Sequence, residues 1–492
     1  MESAIPSHPP GVEPQGHLFM AEASARVAAA AARRRGLGTL AAVEDRLVLR
    51  VLEGVGAGGL GRAGRASAVL GCYAAHDALW KGFAVALGGG GALPPWRGSW
   101  RRTYVAARGV ELMPEGHART RVFSDALCEA HVRARAPRSV GAAPRGPPLA
   151  REKVDTLTPA AFRERYEANN GTPVVIEGCG KKAAANSVWD ELGQTLGNRV
   201  AHAGGVNFAL RDFLRYAATT VDDPPHYLFD PTFANGLPEL SEAYEKPAYF
   251  ADDLFDLLPE SVRPDYRWLL VGGPRSGQSW HTDPNSTSAW NLTLRGRKRW
   301  LFFPPGCPPP GVRPSVDGDG DNYLSPVSMA EWAQAFYADC LKRPDFREGE
   351  TGPGDVCFVP RGWWHMVLNV DPVLTVAVSH HFASPLGLPR VLGRLRDKPE
   401  EVSGVDRGLS ADRAAKRARG AAAASDDHRR RRAAGLRLHD ALVDALQRAR
   451  PDVLERAEGE IARRAAARAA ARRLRDVVEA RKAGFTFSFG AT

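Results

Sequence analysis

The sequence predicts a mainly β core of the sandwich or barrel kind, preceded by a small all-α unit and followed by a helical tail. Three observations predict it. Between residues 266 and 382 the runs YRWLLVG, SAWNLTL, KRWLFFP, DVCFVP and LTVAVSHHF are short and apolar, and Gly, Pro and Asn/Asp turns separate them. Ahead of the core, apolar residues recur at three- and four-residue steps. Beyond Pro389 the chain is Arg/Ala-rich and mostly helical in pattern.

Taken in order, residues 1–36 are a Pro-rich polar lead and an Ala/Arg segment that need not fold. Residues 37–86 form the all-α unit: Leu40, Val43, Leu47, Val51 and Val55 share one helical stripe, and Leu60, Ala63, Ser67, Leu70 and Leu79-Trp80 follow after a Gly break. A connecting segment and Pro/Arg linker occupies 87–152. The β core fills 153–390, entered through the helical TPAAFRERYEANN and the strand-like TPVVIEG. Residues 391–492 are the tail, interrupted at SGVDRGLS and AAAASDDH.

Composition narrows the function. A chain of 492 residues with 44% hydrophobic content can bury a full core without disulfides. Its six cysteines show neither a CxxC pair nor a framework spacing, which suits a reducing compartment and argues against a cysteine-held zinc. No apolar run approaches the roughly 20 residues that span a bilayer, and the opening residues lack the plan of a signal peptide. The expected location is nuclear or cytoplasmic, with the nucleus favoured. Of the net charge of +10, residues 391–482 carry +9, so the tail is basic and the rest almost neutral.

The chemistry concentrates in GQSWHTDPNSTSAWNLTLRGRKRWLFFPPG, residues 277–306. His281 and Asp283 are two apart, so in an extended strand they share a face. A lone H-x-D is weak, but GPGDVCFVPRGWWHMVLNV adds His365 behind a turn and a strand. Two His and one carboxylate form the facial triad that holds non-haem Fe(II) and leaves open positions for O2. His380 and His381 are alternative ligands, and the Gly-Trp-Trp-His context favours His365. Asn291 alternates with Trp290 and Leu292, while Lys298 shares the strand face of Trp300 and Phe302. A lysine on an apolar face is costly unless it meets an anion or snorkels out at the hairpin end.

In HYLFD, ADDLFDLLPE, YRWLLVGGPRSG, HTDPNSTSAWN, GRKRWLFFPP and GDVCFVPRGWWHMVLN, in that order, the sequence resembles the Jumonji-C family of Fe(II)- and 2-oxoglutarate-dependent oxygenases. The likeness covers about Val154 to Pro389 and is strongest to the lysyl hydroxylase branch once called the phosphatidylserine receptor. It implies a double-stranded β-helix, the jelly-roll of cupins, with iron on His281, Asp283 and His365. It also implies 2-oxoglutarate on Asn291 and Lys298, with hydroxyls from Ser379 and Tyr227. The implied reaction uses Fe(II), 2-oxoglutarate and O2 to hydroxylate a side chain of a protein or peptide, lysyl-type, with demethylation as the other outcome. Gln278 stands at the rim where that branch has Thr and is the candidate substrate contact; His381 stands where it has Asn.

Two flanking features add partners. Residues 37–83 resemble an F-box, which implies docking on a Skp1-like adaptor and the alternative that the chain is a substrate receptor of a cullin ubiquitin ligase; the competing reading is a helical lid on the barrel. In the tail, Lys416-Arg417, Arg419 and Arg429 to Arg432 suit a bipartite nuclear import signal or nucleic-acid phosphate contact.

Overall fold

A computed structural model describes residues 31, 33–110, 144–168, 171–235, 237–314, 323–324, 328–405 and 421–483. Most of the polar lead, the Lys416-Arg417 and Arg419 cluster and the last residues lie outside these.

Among the described residues, thirteen strands build the core. They are β1 (Ala150–Lys153), β2 (Val174–Glu177), β3 (Val200–Ala203), β4 (Val206–Ala209), β5 (Leu228–Asp230), β6 (Arg267–Gly272), β7 (Gly277–His281), β8 (Ser288–Arg295), β9 (Lys298–Phe303), β10 (Arg347–Thr351), β11 (Val356–Val359), β12 (Trp364–Asn369) and β13 (Thr375–Phe382). One sheet runs β1-β2-β11-β8-β13-β6-β5-β3-β4 and the other β10-β9-β12-β7. Consecutive strands thus alternate between sheets at β6/β7, β7/β8, β8/β9, β10/β11, β11/β12 and β12/β13, the winding of a jelly-roll.

Because side chains alternate along a strand, each run splits between two cores. Trp290, Leu292 and Leu294 of β8 face outward to a core shared with helices, while Ala289 joins Val175, Trp300, Phe302, Cys357 and Val359 in the core between the sheets. On β9, Leu301 and Phe303 pack against Trp332 and Tyr337 of a helix, Met329–Cys340. The space between the sheets receives the inward polar residues and closes at one end where Thr293 and Thr351 share a hydrogen bond of 2.8 Å.

The N-terminal helices are α1 (Asp45–Glu53), α2 (Ala57–Ala66), α3 (Ala68–Ala74), α4 (Ala78–Leu87) and α5 (Trp100–Ala107). They share one hydrophobic core with β3, β4 and α6 (Leu210–Thr219). Trp96 and Trp100 meet the Tyr216 ring at 5.1 and 5.7 Å, and the Trp100 indole donates to Asp222 at 2.9 Å. The unit and the described start of the connecting segment, through Trp100, therefore pack on the barrel. Leu60 is 1% exposed in that core, so it cannot form part of an outward apolar face. Leu47, at 51%, lies on one with Val43 and Val51.

The start of the tail is equally built in. With α7 for Met329–Cys340, α8 (Leu388–Asp397) buries Leu388, Val391, Leu392 and Leu395 at helical spacing. Against it pack Leu438, Leu442 and Leu446 of α9 (Ala421–Ala449), and Val453 and Leu454 of α10 (Pro451–Ala483). Arg429 and Arg430 remain exposed. No helix among the described residues is long and apolar enough to cross a membrane.

Candidate metal centre and cosubstrate pocket

Register brings the ligand candidates together. β7 and β12 pair antiparallel with His281 opposite His365, and their rings lie 4.0 Å apart between centroids. Asp283 follows two residues after β7, at the start of a turn in which Asn285 takes φ 58°. Asparagine tolerates that left-handed conformation better than most residues. Its side chain donates to the Ser403 carbonyl and accepts from the Ser403 amide, each at 2.9 Å, which ties the turn to the segment after α8.

One imidazole nitrogen of each histidine is already committed. His281 Nδ1 is 2.7 Å from the Ser279 carbonyl and His365 Nδ1 is 3.1 Å from that of Trp363. A carbonyl can only accept, so Nδ1 carries the proton in each neutral ring and Nε2 presents a lone pair. Those Nε2 atoms lie 3.9 and 3.6 Å from Asp283 Oδ1. Burial, then the neighbouring His365, pushes His281 down to about 3, and burial also lowers His365. Burial pushes the Asp283 carboxyl up, but His381, His365 and His281 outweigh it and hold it well below the usual carboxylate range. Ligand atoms from His281, Asp283 and His365 all lie within 4.8 Å of one another, and Asp283 Oδ2 is buried without a hydrogen-bond partner. Two neutral imidazoles and one carboxylate, one of whose oxygens has no other partner, fit a divalent cation such as Fe(II).

The same cavity, about 220 Å³, takes in the other candidates from the sequence: Gln278, Asn291, Lys298, Tyr227 and Ser379. Ser379 pairs in register with Asn291, so both hydrophilic groups point between the sheets. Lys298 is 1% exposed; its ammonium donates to Asn291 Oδ1 at 3.3 Å and sits 5.8 and 5.9 Å from the centres of the Trp300 and Tyr227 rings. It does not reach solvent, which excludes the snorkelling alternative, and among the described residues no carboxylate lies within ion-pair distance of it. Burial lowers its pKa to about 7. The Tyr227 hydroxyl is also buried with no hydrogen bond, and Ser379 Oγ donates to the Trp290 carbonyl at 3.2 Å.

Of the two alternative ligands, His380 points outward, stacked on Trp290 at 4.3 Å and hydrogen-bonded to the Tyr244 hydroxyl at 2.9 Å. His381 points inward. Sequence reasoning missed Trp268 and Phe229, which line the mouth of the cavity; the alternation that puts Trp268 and Leu270 on one face was the available signal.

Residues 206–386 match the family described as a cupin-like domain. The Arabidopsis thaliana protein "Arginine-specific demethylase JMJ22" is 36% identical over 421 residues, which cover 82% of this chain and 80% of that one. This chain belongs to the Jumonji-C oxygenases. In Caenorhabditis elegans, "Bifunctional arginine demethylase and lysyl-hydroxylase psr-1" is 35% identical over 251 residues, 47% of this chain and 61% of that protein. The mouse "2-oxoglutarate and iron-dependent oxygenase JMJD4" is 25% identical over 166 residues, 33% and 37% of the two chains. The Jumonji-C cofactors are Fe(II) and 2-oxoglutarate, and the His-Asp-His triad fits the first.

Proposed function

We propose that this oxygenase hydroxylates a side chain of a protein or peptide, lysyl-type hydroxylation first and methyl-arginine demethylation second. His281, Asp283 and His365 would hold Fe(II). Lys298 and Asn291, with Tyr227 and Ser379 beside them, would hold the far carboxylate of 2-oxoglutarate. Gln278, at the rim, would touch the substrate. Bound iron with 2-oxoglutarate supplies the oxidation of a C–H bond with O2. The chain's own residues prepare that event: the Nδ1 protons of both histidines are held by carbonyls, and Lys298, protonated, would pair with a dicarboxylate.

One observation carries the reading. A lysine side chain buried to 1% exposure, with no carboxylate partner among the described residues, faces the same cavity as the His-Asp-His triad. A pure binding module has no use for that pair of features. Support for a protein substrate comes from the demethylase and lysyl-hydroxylase names of the relatives, and from the aromatic mouth of Trp268 and Phe229, which suits the stem and charge of Lys or Arg. Incubation with lysine-rich and methyl-arginine peptides, followed by mass spectrometry, separates the two outcomes. A gained oxygen on Lys supports hydroxylation; loss of a methyl group from arginine reverses the order proposed.

A docking role is the second reading. The face of Val43, Leu47 and Val51 on and beside α1 is exposed, which supports a Skp1-like adaptor on residues 37–83. Leu47→Glu should abolish capture of purified Skp1-like protein while leaving the fold intact; unchanged capture, or none by the parent, removes the reading. For the tail, exposed Arg429 and Arg430 are the support for nuclear import or phosphate contact, and their substitution by Gln with a change in neither removes it.

A further inference from the structure

Three imidazoles surround one carboxylate oxygen, and two of them have committed their proton elsewhere. His281 and His365 commit their N–H to the Ser279 and Trp363 carbonyls, so the Nε2 atoms that face Asp283 Oδ1 carry lone pairs. The third, His381 Nε2, is nearer to Oδ1 than either, at 3.4 Å against 3.6 and 3.9 Å. We propose that His381 is a positioning residue: it donates from Nε2 to Asp283 Oδ1 and fixes the carboxylate in the orientation that receives the metal. The inference rests on the metal-centre reading above.

The support for His381 is itself rigid. Its backbone amide donates to the Tyr266 carbonyl at 2.7 Å, β13 places it opposite Ala289 of β8, and its ring packs on Trp268 at 4.6 Å. It stands apart from the mutual 4.8 Å grouping of His281, Asp283 and His365, so it serves the carboxylate and not the ligand set. Without a donor, Asp283 would be free to rotate about its side-chain bonds each time the metal leaves. A ligand carboxylate normally needs such an outer hydrogen bond, and removing one costs about 10- to 100-fold in metal affinity.

The test is a Co(II) titration of the full chain, followed by the visible absorption of the bound ion, with thermal melting to verify folding. His381→Phe keeps a ring on Trp268 and removes the donor; it should weaken Co(II) by about 10- to 100-fold. His381→Gln restores a donor of similar reach and should recover most of that loss. At saturation all three proteins should give the same Co(II) spectrum, because the ligands are unchanged. Parent-like affinity in His381→Phe overturns the inference, and an altered saturated spectrum overturns it in favour of His381 as a ligand. Failure of His381→Gln to recover affinity makes the effect one of packing and also overturns it. Should His381→Phe not fold, His381→Ala, which opens the cavity instead of crowding it, carries the same expectation. Asp283→Ala separates the two levels: if it binds Co(II) as the parent does, the metal centre itself is misplaced, whereas loss of binding there with no effect at His381 faults the positioning role alone.

Discussion

Lys298 is the residue whose replacement says most about the pocket. Lys298→Met removes the charge and keeps the stem between Trp300 and Tyr227. A charge-assisted hydrogen bond to a carboxylate contributes about 1.5 to 3 kcal/mol, so the 2-oxoglutarate dissociation constant should rise about ten- to a hundredfold while metal affinity holds. The pH dependence sharpens this. With a pKa of about 7 in the free enzyme, Lys298 is charged below pH 7 and must take up a proton to bind a dianion above it. Affinity should therefore be level below pH 7 and fall about tenfold per pH unit above it, until the pKa of the complex is reached. The slope should vanish in Lys298→Met. Stability moves the other way. Because the folded-state pKa lies below the ordinary 10.5, lowering the pH from 10.5 toward 7 protonates the unfolded chain and not the folded one, so the parent loses stability over that window. Lys298→Met escapes the loss and should be the more stable protein at neutral pH, by a few kcal/mol. Anaerobic calorimetric titrations at several pH values, with urea melts alongside, measure both. Equal 2-oxoglutarate affinity in parent and variant, with no pH slope in either, would refute the anion-binding role.

Three other predictions follow from the packing and the triad. His281→Ala and Asp283→Ala should fold and should each lose Fe(II) binding by equilibrium dialysis, since each leaves two of three ligands. Leu442→Ala, in the tail but fully buried, should destabilise the barrel by about 2 to 5 kcal/mol in urea, whereas an independent tail would leave the transition unmoved. Leu60→Glu should unfold the protein or lower its melting temperature sharply, and Leu47→Glu should change it little; circular dichroism melts distinguish the two leucines.

Much of the site was legible because it depends on strand period alone. Asn291, Lys298 and Trp300 alternate with outward Leu292, Arg299 and Leu301, and the structure keeps that alternation residue for residue. What pairs across strands was not legible. The opposition of His281 to His365 and of Asn291 to Ser379 is set by register, which depends on turns and on partners more than eighty residues away for these pairs. His381 looked like a departure of unknown effect because only the fold brings its side chain beside Asp283. The helical character of the flanks was legible, but their packing partners were not, for a similar reason. Trp96 and Trp100 read as part of a connector until Tyr216 and Asp222 are seen against them, and the basic helical tail gave no sign that Leu438, Leu442 and Leu446 pack on α8.

The most direct test of the account is the joint measurement of succinate and peptide mass for the purified chain, given Fe(II), ascorbate, 2-oxoglutarate and a peptide library from its own cell extract. The account predicts succinate together with peptides that gain an oxygen or lose a methyl group, all dependent on 2-oxoglutarate and all absent with Asp283→Ala. A folded, iron-loaded parent that forms no succinate and changes no peptide would contradict it.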